Sequence, residues 1–245
     1  MVTSKDGTPI AVDAVGAGPA VVCVGGALND RHSTAPVAAA LTGFTAYSYD
    51  RRGRGDSGDT PPYAVAREIE DLAAVIDEAG GSAMVYGMSS GAVLALLAAA
   101  AGLPITRLAL YEPPLNAPPG PPDYSARLAG ATPEEALELF LSGVMGMPEE
   151  ALAGMRRSPA WPALLALAPT LRHDDDVMTE GRLLRMATLT TPAAVLAGTA
   201  SPAWMRKTAT SLAATLPNAG LTLLPDQTHD VGPSILAKAL AAAFS

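Results

Sequence analysis

Ser89 stands in a sequence pattern that could supply a nucleophile. Residues 87–91 read Gly-Met-Ser-Ser-Gly, which matches the pattern G-x-S-x-G. The pattern follows an apolar, strand-like run and opens a helical run rich in alanine and leucine, which is the setting in which a serine hydroxyl is lifted above a sheet edge. Ser89 could therefore attack a carbonyl carbon. The alternative is a glycine-bounded turn that has no chemistry.

Three histidines could accept the serine proton: His32, His173 and His229. Imidazole suits this role because it titrates near neutral pH. His229 follows the last predicted strand, so its loop can reach a serine at the same sheet edge, and we predict that it is the base. His32 could line the substrate pocket or be an ordinary surface residue. His173 precedes three aspartates, and we expect a solvated loop there rather than a metal site, since consecutive acids do not converge on one ion.

Backbone N–H groups would have to stabilise the negative charge that develops on the attacked carbonyl oxygen. One donor is expected from Ser90, because its N–H lies at the start of the predicted helix. The loop after an earlier strand supplies the second donor in such sites. Gly25, Gly26 and Ala27 occupy that loop here. We predict that the N–H of Ala27 donates and that Gly26 lines the pocket, although an ordinary flexible turn would have the same sequence.

The base needs a carboxylate that holds its tautomer and stabilises the imidazolium. The usual position is the loop after the predicted strand over residues 193–197, but residues 198–202 contain no carboxylate. Glu112 follows the strand next to the nucleophile strand. A carboxylate at the end of an apolar strand is costly unless it is paired, which favours a partner such as His229. We predict that Glu112 is the acid, with an unpaired surface glutamate as the alternative.

Short β-rich runs alternate with helical patterns, which predicts a mostly parallel, twisted sheet flanked by helices. Strands are predicted over residues 10–15, 20–24, 44–49, 83–88, 107–111, 193–197 and 221–224. Helices are predicted over residues 65–79, 90–101, 202–216 and 233–244. The alternation stops between residues 116 and 191, where a proline-rich link over residues 117–122 is followed by three or four short helices. We therefore predict a core of residues 1–115 and 192–245, with residues 116–191 as a helical cap over the edge that carries Ser89.

Composition narrows the class of protein. The chain has 245 residues, of which 49% are hydrophobic, so a large core can be buried. Its net charge of −8 would repel a phosphate backbone, so no nucleic-acid partner is expected. No apolar run is long enough for a membrane span. The first ten residues lack the apolar stretch of a signal peptide and Cys23 is the single cysteine, so we expect a cytoplasmic protein. Nothing in the sequence indicates the oligomeric state.

Several segments together resemble the α/β-hydrolase superfamily over nearly the full chain. They are Gly25-Gly26, the segment Tyr-Asp-Arg-Arg-Gly-Arg-Gly-Asp-Ser-Gly at residues 49–58, residues 87–91, and Leu-Pro-Asp-Gln-Thr-His at residues 224–229. The resemblance implies the α/β-hydrolase fold with the chain order nucleophile, acid, base, which Ser89, Glu112 and His229 keep. It also implies that the arginine-rich segment is structural.

Within that superfamily, three segments are similar to zearalenone lactonases: Ser89-Ser90-Gly91-Ala92, Glu112-Pro113, and Gly-Thr-Ala-Ser-Pro at residues 198–202. Those enzymes have a serine–glutamate–histidine triad whose glutamate follows the strand after the nucleophile helix. The resemblance places Glu112 in the acid role and explains why no aspartate stands in residues 198–202. It leaves the substrate open.

These residues predict a serine hydrolase that cleaves a carboxylic ester or lactone through an acyl-enzyme on Ser89. Trp161 and Trp204 are candidates for lining an apolar pocket, so we expect a hydrophobic small-molecule substrate. The chemistry needs no metal and no organic cofactor. The same fold could instead serve a cyclase, a lyase or a C–C bond hydrolase, or a binding protein without catalysis. Dehalogenation and epoxide hydrolysis are disfavoured because each needs an aspartate at position 89.

Overall fold

The computed structural model describes residues 1–118 and 120–245, in which a short strand pair precedes a seven-stranded sheet. The strands are β1 (Val2–Thr3), β2 (Pro9–Ile10), β3 (Val12–Gly16), β4 (Ala20–Val24), β5 (Thr45–Tyr49), β6 (Ala83–Met88), β7 (Ile105–Tyr111), β8 (Ala193–Gly198) and β9 (Ala219–Leu224). The sheet order is β3-β5-β4-β6-β7-β8-β9. Only β3 runs antiparallel to its neighbour, so the predicted mostly parallel sheet is confirmed.

Ten α-helices are present in the described part of the chain. They are α1 (Arg31–Ala40), α2 (Val65–Glu78), α3 (Ser90–Ala100), α4 (Tyr124–Gly130), α5 (Pro133–Glu138), α6 (Glu149–Arg156), α7 (Trp161–Leu167), α8 (Leu171–Leu183), α9 (Ala203–Thr215) and α10 (Pro233–Phe244). A π-helical turn at Leu139–Val144 and 3-10 turns at Ala168–Thr170 and Met186–Thr188 accompany them. We call residues 124–188, which contain α4 to α8, the helical segment.

The sheet is buried on both faces, and for this reason its central strands read as continuous apolar runs. Alternate side chains of β4 show the two faces: Val22 and Val24 join a cluster with α2, α3 and α9, whereas Val21 and Cys23 join a cluster with α1 and α10. Helix α3 is buried from Ser90 to Ala98 because the sheet covers one side and α8 packs on another. Strand β6 and α3, which flank Ser89, therefore lie at the centre of the molecule.

The helical segment differs from its sequence prediction. It contains five α-helices rather than three or four, and residues 116–118 and 120–191 contain no strand. The expected solvated loop at residues 173–176 is wrong: these residues lie in α8, where His173 and Asp174 are buried. Ion pairs with arginines offset the cost of burying the Asp174 charge. Pro119, in the predicted proline-rich link, lies outside the described residues.

The first predicted strand is divided in the structure. The N–H of Ala11 donates to the Ser57 hydroxyl at 2.9 Å, which interrupts the run between β2 and β3. Helix α1 was not predicted, because Pro36 inside it and its few buried positions weaken the helical pattern.

Within the described chain, no helix has both the length and the apolar character that a bilayer crossing requires.

The start of α3 approaches the end of β4 so closely that only glycine fits at position 91. A Cβ added to Gly91 would lie 2.3 Å from the Val24 carbonyl oxygen and 2.5 Å from that of Gly25. We therefore expect Gly91→Ala to lower the free energy of unfolding by about 1–3 kcal/mol, since backbone atoms would have to move. Urea denaturation measures this change.

The matched control is Gly154→Ala inside α6, where an added Cβ would meet no atom within 4 Å. That variant should gain about 0.5–1 kcal/mol, because alanine is the better helix former. Equal stability of the Gly91→Ala and Gly154→Ala proteins would show that the contact between α3 and β4 is not tight.

Candidate active site

Ser89 occupies a strained turn between β6 and α3. Its backbone angles are φ 54° and ψ −125°, a left-handed conformation that non-glycine residues rarely adopt. A Cβ added to Gly87 would lie 2.6 Å from the Gly91 carbonyl oxygen, so the turn tolerates only small residues on both sides. Strain of this kind is retained where the surrounding structure enforces it, often at functional sites. The turn leaves Ser89 half-buried at the carboxyl edge of the sheet.

The loop after β4 runs directly against this turn. A Cβ added to Gly26 would lie 3.0 Å from the Ser89 Cβ, and the N–H of Gly26 donates to Asn29 Oδ1 at 3.2 Å. In the described residues, the N–H groups of Ala27 and Ser90 donate no hydrogen bond to another residue. Both amides predicted as donors thus remain able to bind an oxygen atom of a ligand.

Glu112 and His229 are paired. The carboxylate oxygen Oε2 of Glu112 lies 2.8 Å from His229 Nδ1, and the other oxygen accepts the Gly198 N–H at 2.9 Å. Glu112 is buried and has φ 46°, an uncommon conformation that turns the chain at the end of β7. Burial raises the pKa of this carboxyl, but its hydrogen bonds with His229 and the Gly198 N–H outweigh burial and leave the pKa below its usual value. The pair therefore carries a carboxylate at neutral pH.

The loop that carries His229 is held by its neighbours. The Tyr111 hydroxyl donates to the Thr228 carbonyl oxygen at 2.5 Å. The N–H of Ala200 donates to the Gln227 carbonyl oxygen at 2.9 Å, and a Cβ added to Gly198 would lie 2.0 Å from the same oxygen. Residues 198–202, which lack the usual carboxylate, thus support the histidine loop. Tyr111 was not predicted to have this role, because in the sequence it is one more apolar position in a buried strand.

Ser89 and His229 share no hydrogen bond in the part of the chain that the structure describes. They are connected through β7: the Ser89 N–H donates to the Tyr111 carbonyl oxygen at 2.9 Å, and the next residue, Glu112, binds His229. Catalytic hydrogen bonds are often long in unliganded enzymes and tighten when substrate binds. The arrangement is compatible with proton transfer from Ser89 to His229.

The residues predicted to line a pocket are separated in the structure. Trp161 is buried in an apolar cluster of the helical segment, against which Ala27 and Leu28 also pack. His32 is exposed in the first turn of α1, and Trp204 is half-buried in the first turn of α9. Of these three side chains, the structure brings Trp161 into the cluster that reaches the loop after β4.

A groove of about 400 Å³ lies between α8 and α9, and Ser89, Glu112 and His229 are not among its lining residues. Among residues 1–118 and 120–245, no three histidine, cysteine, aspartate or glutamate side chains form a group that could hold a metal ion.

A buried cluster of charged side chains lies beneath the loop after β4. Arg51 donates to both carboxylate oxygens of Glu68, at 2.6 and 2.7 Å, and to Asp174 Oδ1 at 2.7 Å. Arg54 donates to Asp174 Oδ2 at 2.7 Å, and the Ser90 hydroxyl donates to Asp174 Oδ1 at 2.7 Å. The sequence shows the arginines, but their partner Asp174 is more than a hundred positions away and had no visible signal.

Residues 21–243 match the sequence model of the alpha/beta hydrolase family. The chain belongs to the alpha/beta hydrolase family. The fold predicted from the motifs is thereby confirmed. A solved alpha/beta hydrolase from Sphaerobacter thermophilus DSM 20745 is similar along the whole length, with 50% identity, coverage of 100% of both chains and a TM-score of 0.92.

Two more distant structures share the fold of this α/β-hydrolase. A thermophilic esterase from Thermogutta terrifontis is 21% identical, over 99% of this chain and 95% of its own, with a TM-score of 0.72. The enol-lactonase from Burkholderia xenovorans LB400 is 20% identical, over 100% of this chain and 97% of its own, with a TM-score of 0.70. The comparison with curated proteins finds no significant match.

The Tyr111 hydroxyl should fix the histidine loop of this α/β-hydrolase. Tyr111→Phe removes its hydrogen bond to Thr228, so we expect the free energy of unfolding to fall by about 0.5–1.5 kcal/mol. We also expect faster amide hydrogen exchange in residues 226–232. Tyr49→Phe is the control, because the buried Tyr49 hydroxyl has no hydrogen-bond partner among the described residues. Unchanged exchange in the Tyr111→Phe protein would contradict the role of the hydroxyl.

Proposed function

We propose that this α/β-hydrolase cleaves a carboxylic ester or lactone of a hydrophobic small molecule through an acyl-enzyme on Ser89. One observation carries the proposal: the buried carboxylate of Glu112 lies 2.8 Å from His229 Nδ1, one residue beyond the carbonyl that binds the Ser89 N–H. The proposed nucleophile, acid and base lie at the carboxyl end of β6, at the carboxyl end of β7 and in the loop after β9, respectively. This is the arrangement that acyl transfer by a serine requires.

The proposed reaction has two steps. Ser89 Oγ attacks the carbonyl carbon while His229 takes the hydroxyl proton, and the carbonyl oxygen becomes negatively charged. The N–H groups of Ala27 and Ser90 bind that oxygen. His229 then gives its proton to the departing alkoxide, which leaves the acyl group on Ser89. Water attacks the acyl-enzyme with His229 again as the base, and His229 then returns the proton to Ser89 Oγ as the bond to the acyl group breaks, which releases the acid product. Glu112 stabilises the imidazolium in both steps.

The hydrophobic substrate class rests on the helical segment. Its apolar side chains, with Trp161 among them, form a cluster against which Leu28 and Ala27, the proposed oxyanion donor, also pack. We propose that residues 116–191 act as a cap and that residues 1–115 and 192–245 form the core. The sequence resemblance to zearalenone lactonases supports a lactone as one substrate class, and the similar fold of a bacterial enol-lactonase is compatible with it.

Ser89→Ala removes the proposed nucleophile. We expect a loss of hydrolysis of about 10³-fold or more, since oxyanion stabilisation and binding alone give only the residual rate. The measurement is p-nitrophenolate release from short-chain p-nitrophenyl esters, followed by product analysis with a panel of macrolactones. Ser82→Ala, at an exposed serine just before β6, keeps the nucleophile and serves as the control. Wild-type turnover by pure Ser89→Ala protein would contradict the assignment of the nucleophile. If the wild-type protein hydrolysed none of the esters or lactones, a cyclase or lyase activity would be favoured instead.

Glu112→Gln keeps the shape of the proposed acid and removes its charge. We expect kcat to fall by about 10²- to 10⁴-fold, because His229 loses the partner that stabilises its protonated form. Glu78→Gln is the control, since Glu78 is exposed at the end of α2. Steady-state kinetics on the best ester measure both. Full activity of the Glu112→Gln protein would mean that another group serves as the acid.

A further inference from the structure

We propose that Asp174, from α8 of the helical segment, is a positioning residue that orients both oxyanion donors, the N–H groups of Ser90 and Ala27. The inference rests on the proposed function, because these amides act as oxyanion donors only if Ser89 attacks a carbonyl. Asp174 touches neither the substrate nor Ser89 in this proposal. It acts through Ser90 on one side and through Arg54 on the other.

The first connection runs from Asp174 to Ser90. The buried Ser90 hydroxyl donates to Asp174 Oδ1 at 2.7 Å. Ser90 is the first residue of α3, so its own N–H has no acceptor within the helix. A hydrogen bond to a buried carboxylate is stronger than one between neutral groups, and it fixes the side chain and hence the residue. Asp174 therefore holds the N–H of Ser90 in one direction.

The second connection runs from Asp174 through Arg54 to the loop after β4. Asp174 Oδ2 accepts from Arg54 Nη2 at 2.7 Å, and Arg54 Nη1 donates to the Gly26 carbonyl oxygen at 2.5 Å and to that of Asn29 at 3.1 Å. The Gly26 carbonyl and the Ala27 N–H belong to one planar peptide group and point in opposite directions. Fixing the carbonyl on the guanidinium therefore aims the N–H away from Arg54. The same bond polarises the peptide and makes its N–H a better donor.

The cluster is rigid because its charges are buried and balanced. Arg51 and Arg54 carry two positive charges, and Glu68 and Asp174 carry two negative ones, all within side chains that are almost fully buried. If Arg51 turned towards water, Glu68 would lose its ion pair, and if Arg54 turned away, Asp174 Oδ2 would lose its donor and one buried negative charge would be left without compensation. Because Asp174 lies on α8, the oxyanion hole is complete only when the helical segment is seated on α3. The structure thus links the placement of this segment to the reactivity of Ser89.

A second buried pair in the same region provides a matched control. Arg52 donates to both oxygens of Asp71 at 2.7 Å, and both side chains are buried. Its other hydrogen bonds go to Asp6 and to the Arg67 carbonyl oxygen, and none reaches the loop after β4. Asp71→Asn and Asp174→Asn therefore remove the same chemical group from similar surroundings. Only Asp174→Asn disturbs the groups beside Ala27 and Ser90.

The test uses a p-nitrophenyl phosphonate ester, a probe that can label Ser89 even though the natural substrate is not identified. Ser89 Oγ attacks phosphorus, p-nitrophenolate leaves, and the serine proton passes to His229. The phosphoryl oxygen needs the same N–H donors as a carbonyl oxygen. The second-order rate of Ser89 labelling is measured for the wild-type, Asp174→Asn and Asp71→Asn proteins, with kcat and KM for p-nitrophenyl butyrate and the melting temperature of each.

We expect Asp174→Asn to lower the labelling rate and kcat by about 10- to 100-fold, somewhat less than complete loss of one oxyanion donor, with KM changed by less than about threefold. Asp71→Asn should lower the melting temperature and leave the labelling rate and kcat within about twofold of wild type. Equal rates for the two folded variants would overturn the inference. If wild-type Ser89 is not labelled, the proposed function fails and the inference fails with it.

Ser90→Ala keeps the test decisive if Asp174→Asn does not fold. This variant removes the first connection but leaves every charge of the cluster in place. We expect its labelling rate and kcat to fall by about 3- to 10-fold, because the variant loses the single hydrogen bond that orients Ser90. A wild-type rate for Ser90→Ala would overturn the role of Asp174 in orienting Ser90.

Discussion

The site depends on the close approach of two backbones, the start of α3 and the end of β4. There is no room for a Cβ at Gly87 or Gly91 and little room at Gly26, so the chain can bring Ser89 against the loop that contains Ala27. A side chain at Gly87 or Gly91 would require backbone segments to move apart, and this is costly because the strands and α3 are packed on all sides. The strained φ of Ser89 is a consequence of this packing. The same turn leaves Ser89 half-buried at the edge of the sheet.

The position of Glu112, the proposed acid, follows from strand register. Tyr111 pairs with Leu196 across β7 and β8, and the Glu112 N–H donates to the Leu196 carbonyl oxygen, so Glu112 stands beside the end of β8. From there its carboxylate binds the Gly198 N–H, at the point where an aspartate after β8 would begin. The Glu112 side chain at the end of β7 thus lies beside the end of β8, where an aspartate in the loop after β8 would otherwise supply the carboxylate. Residues 198–202 then need no charge and can pack against the histidine loop.

Much of this could be predicted from the sequence, because the relevant patterns are local. The parallel sheet follows from apolar runs of strand length, and the turn at Ser89 follows from five consecutive residues. Glu112 could be proposed because a carboxylate at a strand end needs a partner. Asp174 could not be found in this way: its ion pairs with Arg51 and Arg54 join residues 123 and 120 positions apart, and three consecutive aspartates are typical of a solvated loop.

The buried charges beneath the loop after β4 call for a reason other than stability. When an ion pair is buried, the free energy of attraction between its charges barely offsets the free energy of hydration that they lose. Well-packed apolar residues of the same volume often stabilise a fold as well or better. An apolar cluster in this place would also hold α8 on α3. It could not hold the Gly26 carbonyl in one direction, since only a donor does that, and a buried guanidinium needs a carboxylate beside it. The charges at Arg54 and Asp174 are therefore best explained by the direction that they impose on neighbouring peptide groups.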